Sequence, residues 1–186
     1  MPRIRRLQQL SPADLDGLAQ VLVDCVEGGA SVSFMQPLAL HRARAFWQQV
    51  GDEAARGERA VLVADDAAGI AGTVQLLLAQ PENQPHRADL AKMLVHRRAR
   101  QQGVGAALLA AAEQLARECG KSLLVLDTAS AEAERLYARA GWQRCGTVPR
   151  YALVPQGGLC DTTFFYRELD GLPFAAQGVI GRPMGC

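Results

Sequence analysis

The spacing of apolar residues changes twice along this chain, and the changes divide it into helices and strands. Ile4 and Leu7 are the only apolar anchors of a short strand predicted over residues 3–10. Ser11-Pro12-Ala13-Asp14 then reads as a helix start. The Ser11 hydroxyl can accept from a free amide, Pro12 suits the first helical position, and Asp14 favours the positive end of the helix. Leu15, Leu18, Leu22 and Val26 continue at helical spacing until Gly28-Gly29. A second helix is predicted from Leu38 to Val50, with Leu40, Ala43, Phe46, Trp47 and Val50 on one broad face. Gly51 and Gly57 loosen the chain after it.

From there the pattern is that of strands. Arg59–Ala64 and Ile70–Ala79 are β-rich runs joined by the hairpin-like turn Asp65-Asp66-Ala67-Ala68-Gly69. Pro81–Pro85 is a loop, and Ala88–Val95 is the next strand. Gly103–Cys119 is the clearest helix, with a predicted buried stripe of Val104, Leu108, Ala111, Leu115 and Cys119 and an outward Glu113/Arg117 pair. Ser122–Leu126 is apolar almost throughout, as a strand covered on both faces would be. Ala131–Ala140 is a helix ended by Gly141, and Trp142–Thr147 and Thr162–Leu169 are the last strands.

The predicted order is β-α-α-β-β-β-α-β-α-β-β, a mixed α/β layout in one domain over residues 1–170, with a Gly/Pro-containing tail over 171–186. The regular β-α alternation of a doubly wound fold is absent, which excludes a conventional dinucleotide-binding domain.

Composition narrows the function classes. Hydrophobic residues at 49% and charged ones at 21% describe an ordinary globular chain, not a disordered one. Twenty Lys+Arg against nineteen Asp+Glu leave +1, which argues against a nucleic-acid partner. No apolar run approaches the roughly 18 residues of a membrane span, and the basic start MPRIRRLQQL lacks the apolar core of a signal peptide. Cys25, Cys119, Cys145, Cys160 and Cys186 are odd in number and form no C-x-x-C pair. His41, His86 and His96 lack metal-ligand spacing. The expectation is a cytoplasmic, metal-free protein with reduced thiols and no membrane partner.

The segment with chemistry in it is Val95-His96-Arg97-Arg98-Ala99-Arg100-Gln101-Gln102-Gly103-Val104-Gly105-Ala106. A strand leads in, glycines mark a turn and an amphipathic helix leads out. Amides at that helix start can receive a pyrophosphate, and glycines let a ligand approach the backbone. With no Lys after the turn it is not a Walker loop, and its spacing is not G-x-G-x-x-G. The string alone is also compatible with ordinary turn glycines beside a solvated Arg run.

Context adds a resemblance. Arg100-Gln101-Gln102-Gly103-Val104-Gly105 resembles the pyrophosphate motif of the GNAT superfamily of acetyl-CoA-dependent N-acetyltransferases. Ala133 and Leu136-Tyr137-Ala138-Arg139-Ala140-Gly141-Trp142 resemble its second motif, and the likeness covers roughly residues 59–170. Gly28-Gly29-Ala30-Ser31-Val32, Phe34-Met35, Arg87-Ala88-Asp89, Lys92 and Leu126-Asp127-Thr128 further resemble the tabtoxin-resistance acetyltransferases, whose substrate is a small amino-acid-like β-lactam. Three positions depart from the superfamily pattern. Arg97 stands where Pro is frequent, Gln101 where Gly is, and Ser130 where Asn is.

The resemblance implies an α/β fold of α+β type, with a mixed, mostly antiparallel central sheet of about six to seven strands flanked by about four helices. It implies acetyl-CoA as co-substrate, held by Leu94, Val95, Arg100, Gln101, Gln102, Gly103, Val104, Gly105, Ala106 and Ser130. An alkylamine is mostly ammonium at neutral pH, so attack on a thioester needs a base, for which Asp89, Asp127 or a water relay is available. Asp89 could instead pair with Arg87 or Lys92, and Asp127 could cap the following helix. Tyr137, by its motif position, would protonate the leaving thiolate, and a strand amide near Leu94 or Val95 would meet the oxyanion. Glu27, Ser31, Phe34 and Met35 are the candidates for the acceptor, a small amine; an amino-acid-like acceptor calls for one basic and one acidic partner. A protein or peptide acetyltransferase and a non-catalytic acyl-CoA sensor are the alternatives, and monomer and homodimer both stay open.

Overall fold

The computed structural model describes residues 2–169, so the predicted tail lies outside the described residues. Twelve elements run in order: β1 (Arg3–Leu7), α1 (Pro12–Glu27), α2 (Leu40–Ala55), β2 (Arg59–Asp66), β3 (Gly69–Leu77), β4 (Arg87–Val95), a 3-10 turn (Arg97–Ala99), α3 (Val104–Glu118), β5 (Leu123–Thr128), α4 (Ala131–Arg139), β6 (Gln143–Leu153) and β7 (Leu159–Glu168). Apart from the 3-10 turn this is the predicted order. One seven-stranded sheet runs β1-β2-β3-β4-β5-β7-β6, antiparallel at every pairing except the parallel β4–β5 contact.

Local chemistry accounts for the start of α1. Ser11 and Asp14 form a reciprocal capping box, the Ser11 hydroxyl accepting from the Asp14 amide and Asp14 accepting from the Ser11 amide at 3.0 Å. Asp14 also accepts from Arg5 at 2.8 Å, and Arg5 bridges on to Asp65, so one guanidinium ties β1, α1 and β2 together. Both faces of the sheet are covered. Val61, Val63, Ile70 and Leu94 meet Leu18, Leu22, Val26, Trp47 and Val50 of α1 and α2. Leu62, Val74, Leu76 and Leu90 meet Val104, Leu108, Leu109 and Ala112 of α3, with Tyr137, Trp142 and Phe165 at the β5–β7 side.

Several predicted boundaries and faces are corrected. The first strand ends at Leu7, because the chain turns there into the Ser11 cap. The second helix runs on to Ala55; Gly51 lies inside it, buried against Leu10, while Leu40 faces solvent. The α3 stripe is Val104, Leu108, Leu109, Ala112, Leu115 and Ala116, whereas Ala111 and Cys119 are only partly covered. Glu113 does not pair with Arg117 but accepts from the Trp142 indole at 2.8 Å. β6 extends past Thr147 to Leu153. It is an edge strand whose one strand partner is β7, and it is nearly all exposed, so it carries no in-out alternation for a pattern to reveal.

Candidate active site

The sheet opens in its middle. β4 and β5 pair only over Arg87–Asp89 and Leu123–Val125, and beyond those residues neither strand has a ladder partner in the other. A bulge in β4 accompanies the parting: Ala91 opposes Gln75 and Leu94 opposes Thr73, so Lys92 and Met93 together face Val74. Lys92 takes φ +48°, a left-handed value that a non-glycine residue adopts at some cost. The β4 stretch without a β5 partner includes Leu94 and Val95, the two residues whose amides the sequence singles out.

The glycine turn lies beside this opening. His96 caps the 3-10 turn, its Nδ1 accepting from the Arg98 amide at 3.2 Å. Arg100 turns back and donates Nε to the Val95 carbonyl at 3.2 Å, and Gln102 donates to the Arg98 carbonyl at 2.9 Å. Gln101, in place of a frequent Gly, has φ +61°, which explains why glycine is favoured there. The two motif glycines act differently. Gly103 caps α3 at φ +80° with nothing within 4 Å of where a Cβ would stand. At Gly105 a Cβ would meet Leu136 Cδ2 at 3.2 Å, so this glycine lets α4 close on α3. The amides of Val104, Gly105 and Ala106 have no acceptor among the described residues, and no side chain caps the helix. A row of unused donors at a positive helix end, with open space in front of Gly103, fits a pyrophosphate.

The three catalytic candidates are placed differently. Tyr137, 3% exposed, lies among Trp142 and Phe165 with ring centroids 5.7 and 5.9 Å away. Burial first, and the Asp127 charge second, push its phenol well above the ordinary tyrosine value, so it stays protonated. Asp127 lies near the C-terminal end of β5. Partial burial is the main cause that raises its carboxyl above the usual range; Lys92 works the other way, and Asp89 adds to the rise. Asp127 does not cap α4, since Ser130 does so, accepting from the Ala133 amide at 3.3 Å. That bond uses an oxygen lone pair and leaves the Ser130 hydroxyl proton available. Asp89 has both oxygens engaged, by Arg87 Nη1 at 2.7 Å and by Gln80 Nε2 at 3.2 Å.

Of the acceptor candidates, Phe34 packs against α2. Its ring stacks edge-on with Phe46 at 5.3 Å, and Lys92 Nζ lies 5.7 Å from the Phe46 centroid. Ser31 is drawn away, donating to the Leu153 carbonyl at 3.0 Å and so joining the α1–α2 connection to β6. Glu27 lies 3.8 Å from Arg97, on the side of the glycine turn. Met35 is 45% exposed.

Sequence reading missed three polar residues near the opening. Lys92, Arg59 and Gln75 are on the α2 side of the sheet: Lys92 beside Phe46, and Arg59 paired to Glu53 and donating to Gln75 Oε1. Only a polar side chain standing in a strand pattern could have flagged them, and Lys92 entered as a point of resemblance and as an alternative partner of Asp89, which pairs with Arg87 instead. Among the described residues, no group of three or more His, Cys, Asp or Glu could hold a metal ion. No described helix is long and apolar enough to cross a membrane.

Comparisons with known proteins bear on the fold. Residues 57–144 match the family described as Acetyltransferase (GNAT) domain. A ribosomal-protein-alanine N-acetyltransferase from Brucella melitensis is 26% identical, with 90% of this chain and 99% of that one covered and a TM-score of 0.74. YncA from Salmonella typhimurium, solved with its cofactor acetyl-CoA, is 20% identical over 100% of this chain and 99% of that one, with a TM-score of 0.74. A phosphinothricin acetyltransferase from Sinorhizobium meliloti, in complex with acetyl-CoA, is 18% identical over 97% and 94%, with a TM-score of 0.76.

Proposed function

We propose that this chain, an acyltransferase of the GNAT fold, moves acetyl from acetyl-CoA to the amine of a small amino-acid-like metabolite or toxin. The observation that carries the reading is the parting of β4 and β5 beside three unused amides of α3, with Asp127 on the part of β5 that has no β4 partner and Tyr137 near enough to feel its charge. Acetyl-CoA supplies an activated acyl group; the pyrophosphate would rest on Val104, Gly105 and Ala106, and the Ser130 hydroxyl would donate to the same co-substrate.

Asp127 is the better base. Its carboxyl is raised, which brings it nearer the amine it must deprotonate, whereas Asp89 is committed to Arg87 and Gln80 and serves to hold the opening's charge. Tyr137 keeps its proton and gives it to the departing sulfur. A strand amide near Leu94 or Val95 stabilises the developing oxyanion without help from a side chain. Phe34 lines the acceptor side, and residues 1–170 work as one domain in the cytoplasm, as monomer or homodimer.

The Brucella relative acts on a ribosomal protein alanine, so acetylation of a protein N-terminus is the second reading. A screen of small amines and N-terminal peptides, read as CoA release, separates the two. Turnover of small amines is expected; turnover of peptides alone reverses the order, and saturable acetyl-CoA binding with no turnover at all points to a sensor. Gly103→Asp, which puts a negative side chain in the open space of the turn, is expected to abolish acetyl-CoA binding.

A further inference from the structure

We infer that Lys92 anchors a carboxylate of the acceptor, so that the amine acetylated belongs to a small molecule carrying its own acid group. This rests on the reading of the site as one for small amines.

Lys92 is half-buried on the β4 bulge, in a left-handed backbone conformation that carries it out of the strand's alternation and against α2. Its ammonium meets only neutral partners at contact range, the Ser33 hydroxyl at 3.2 Å and the Phe46 ring at 5.7 Å. Among the described residues no carboxylate lies within ion-pair distance of it. Beside it are more donors than acceptors. Arg59 gives one bond to Gln75 Oε1 and pairs with Glu53, and its Nε is buried without a partner. Gln75 is 0% exposed, and with Oε1 taken by Arg59 its Nε2 is also unpartnered. A half-buried cation whose contact partners are all neutral is one that a carboxylate can pair with, and unpartnered donors on the same side of the sheet add to its demand for an acceptor.

The opposite charge is nearby and separate. Asp127 is close enough for each to feel the other's charge, while Asp89 is already neutralised by Arg87. A zwitterion therefore has one favourable way to enter: carboxylate toward Lys92, ammonium toward Asp127. That orientation delivers the amine to the residue proposed to deprotonate it. A protein N-terminus has no carboxylate at that distance from its amine, so the same cation disfavours it.

The test compares the proteinogenic amino acids with their α-carboxamides as acceptors, read as CoA release. The wild type is expected to favour acids at least tenfold in kcat/KM, through KM. In Lys92→Met the ratio of acid to amide should collapse by roughly 10- to 100-fold, with acetyl-CoA binding by calorimetry confirming a folded site. Lys92→Arg should keep part of the preference. Independently of any variant, propionate should compete with the acceptor and propionamide should not. Equal use of acids and amides by the wild type overturns the inference, as does a Met variant that loses both equally. Turnover of neither acids nor amides by the wild type, with no small amine turned over in the wider screen either, removes the small-amine reading itself, and this inference with it.

Discussion

Asp24, near the end of α1, accepts both the backbone amide and Nε of Arg97, each at 2.8 Å. The bond reaches across 73 residues of sequence to fix the residue that opens the glycine turn. Arg97 stands where Pro is frequent in the superfamily that the sequence resembles, and here a buried carboxylate does the restraining that a proline ring would do. Burial alone would raise the Asp24 carboxyl, but the Arg97 amide and guanidinium together hold it below the usual aspartate value. Its stabilisation is therefore present above the unfolded carboxylate range and is lost as pH falls through the folded value. Asp24→Ala should cost about 1–3 kcal/mol, the penalty for stranding hydrogen-bond donors. It should raise the KM for acetyl-CoA more than it changes kcat. An unchanged KM would mean that the turn holds its shape without α1.

His96 makes the same turn sensitive to mild acid. Its Nδ1 accepts from the Arg98 amide, which only the neutral ring can do, and it stands 3.5 Å from Asp24. Burial is the main cause that lowers its pKa, Asp24 opposes this, and Arg98 and Arg97 add to the lowering, with Asp66 raising. For a histidine depressed on folding, the contribution is present above the unfolded value near 6.5 and lost as pH falls through the folded one. Acetyl-CoA affinity should weaken only once pH has fallen below the ordinary histidine value of about 6.5. His96→Asn, which keeps an acceptor but does not titrate, should flatten that profile. A profile identical in the two proteins assigns the acid sensitivity elsewhere.

These two contacts mark the limit of what the residues alone could reveal. The starts of α1 and α3 were legible, because Ser11, Asp14 and Gly103 carry their chemistry within four positions of the sites they serve, whereas Asp127 was weighed as the cap of α4, which is Ser130. The element order and the glycine turn were legible too. Asp24 was not: in sequence it is one more polar residue on an amphipathic helix, and its meaning lies in Arg97. Lys92 was hidden differently, since a bulge breaks the two-residue period from which a side is read. Ser31 was assigned to the acceptor from its neighbours along the chain, whereas the fold binds it to β6.

At Asp127 stability and activity should part company. The carboxyl is raised, so its favourable contribution is complete below the unfolded carboxylate value and is lost as pH rises through the folded one. At neutral pH the ionised group is thus a small burden on the fold. Asp127→Asn is expected to leave the melting temperature unchanged or slightly higher at neutral pH, with the gain vanishing near about pH 4. Its kcat/KM should fall by roughly 10²–10⁴ and lose the acid limb of its pH profile. If Asp89→Asn produces that loss and Asp127→Asn does not, the roles are exchanged.

Tyr137→Phe tests the other half of the proton transfer. The ring is held by Trp142 and Phe165 in a buried cluster, and those contacts need only its face and edge. Phenylalanine keeps them, so folding and acetyl-CoA affinity should survive. What goes is a phenol whose proton is retained because burial and the Asp127 charge both oppose ionisation. If that phenol protonates the leaving sulfur, kcat should fall by roughly 10²–10⁴. Water can take over part of the task, because a thiol with a pKa near 8.5 is already a tolerable leaving group. Thioesters with more acidic thiols should then recover rate in the variant faster than in the wild type. The alkaline limb is a second readout: with the phenol so reluctant to ionise, wild-type activity should hold well past about pH 10, where an ordinary tyrosine titrates. A Phe variant with full kcat would leave Tyr137 as packing for Trp142 and Phe165 and assign the proton to solvent.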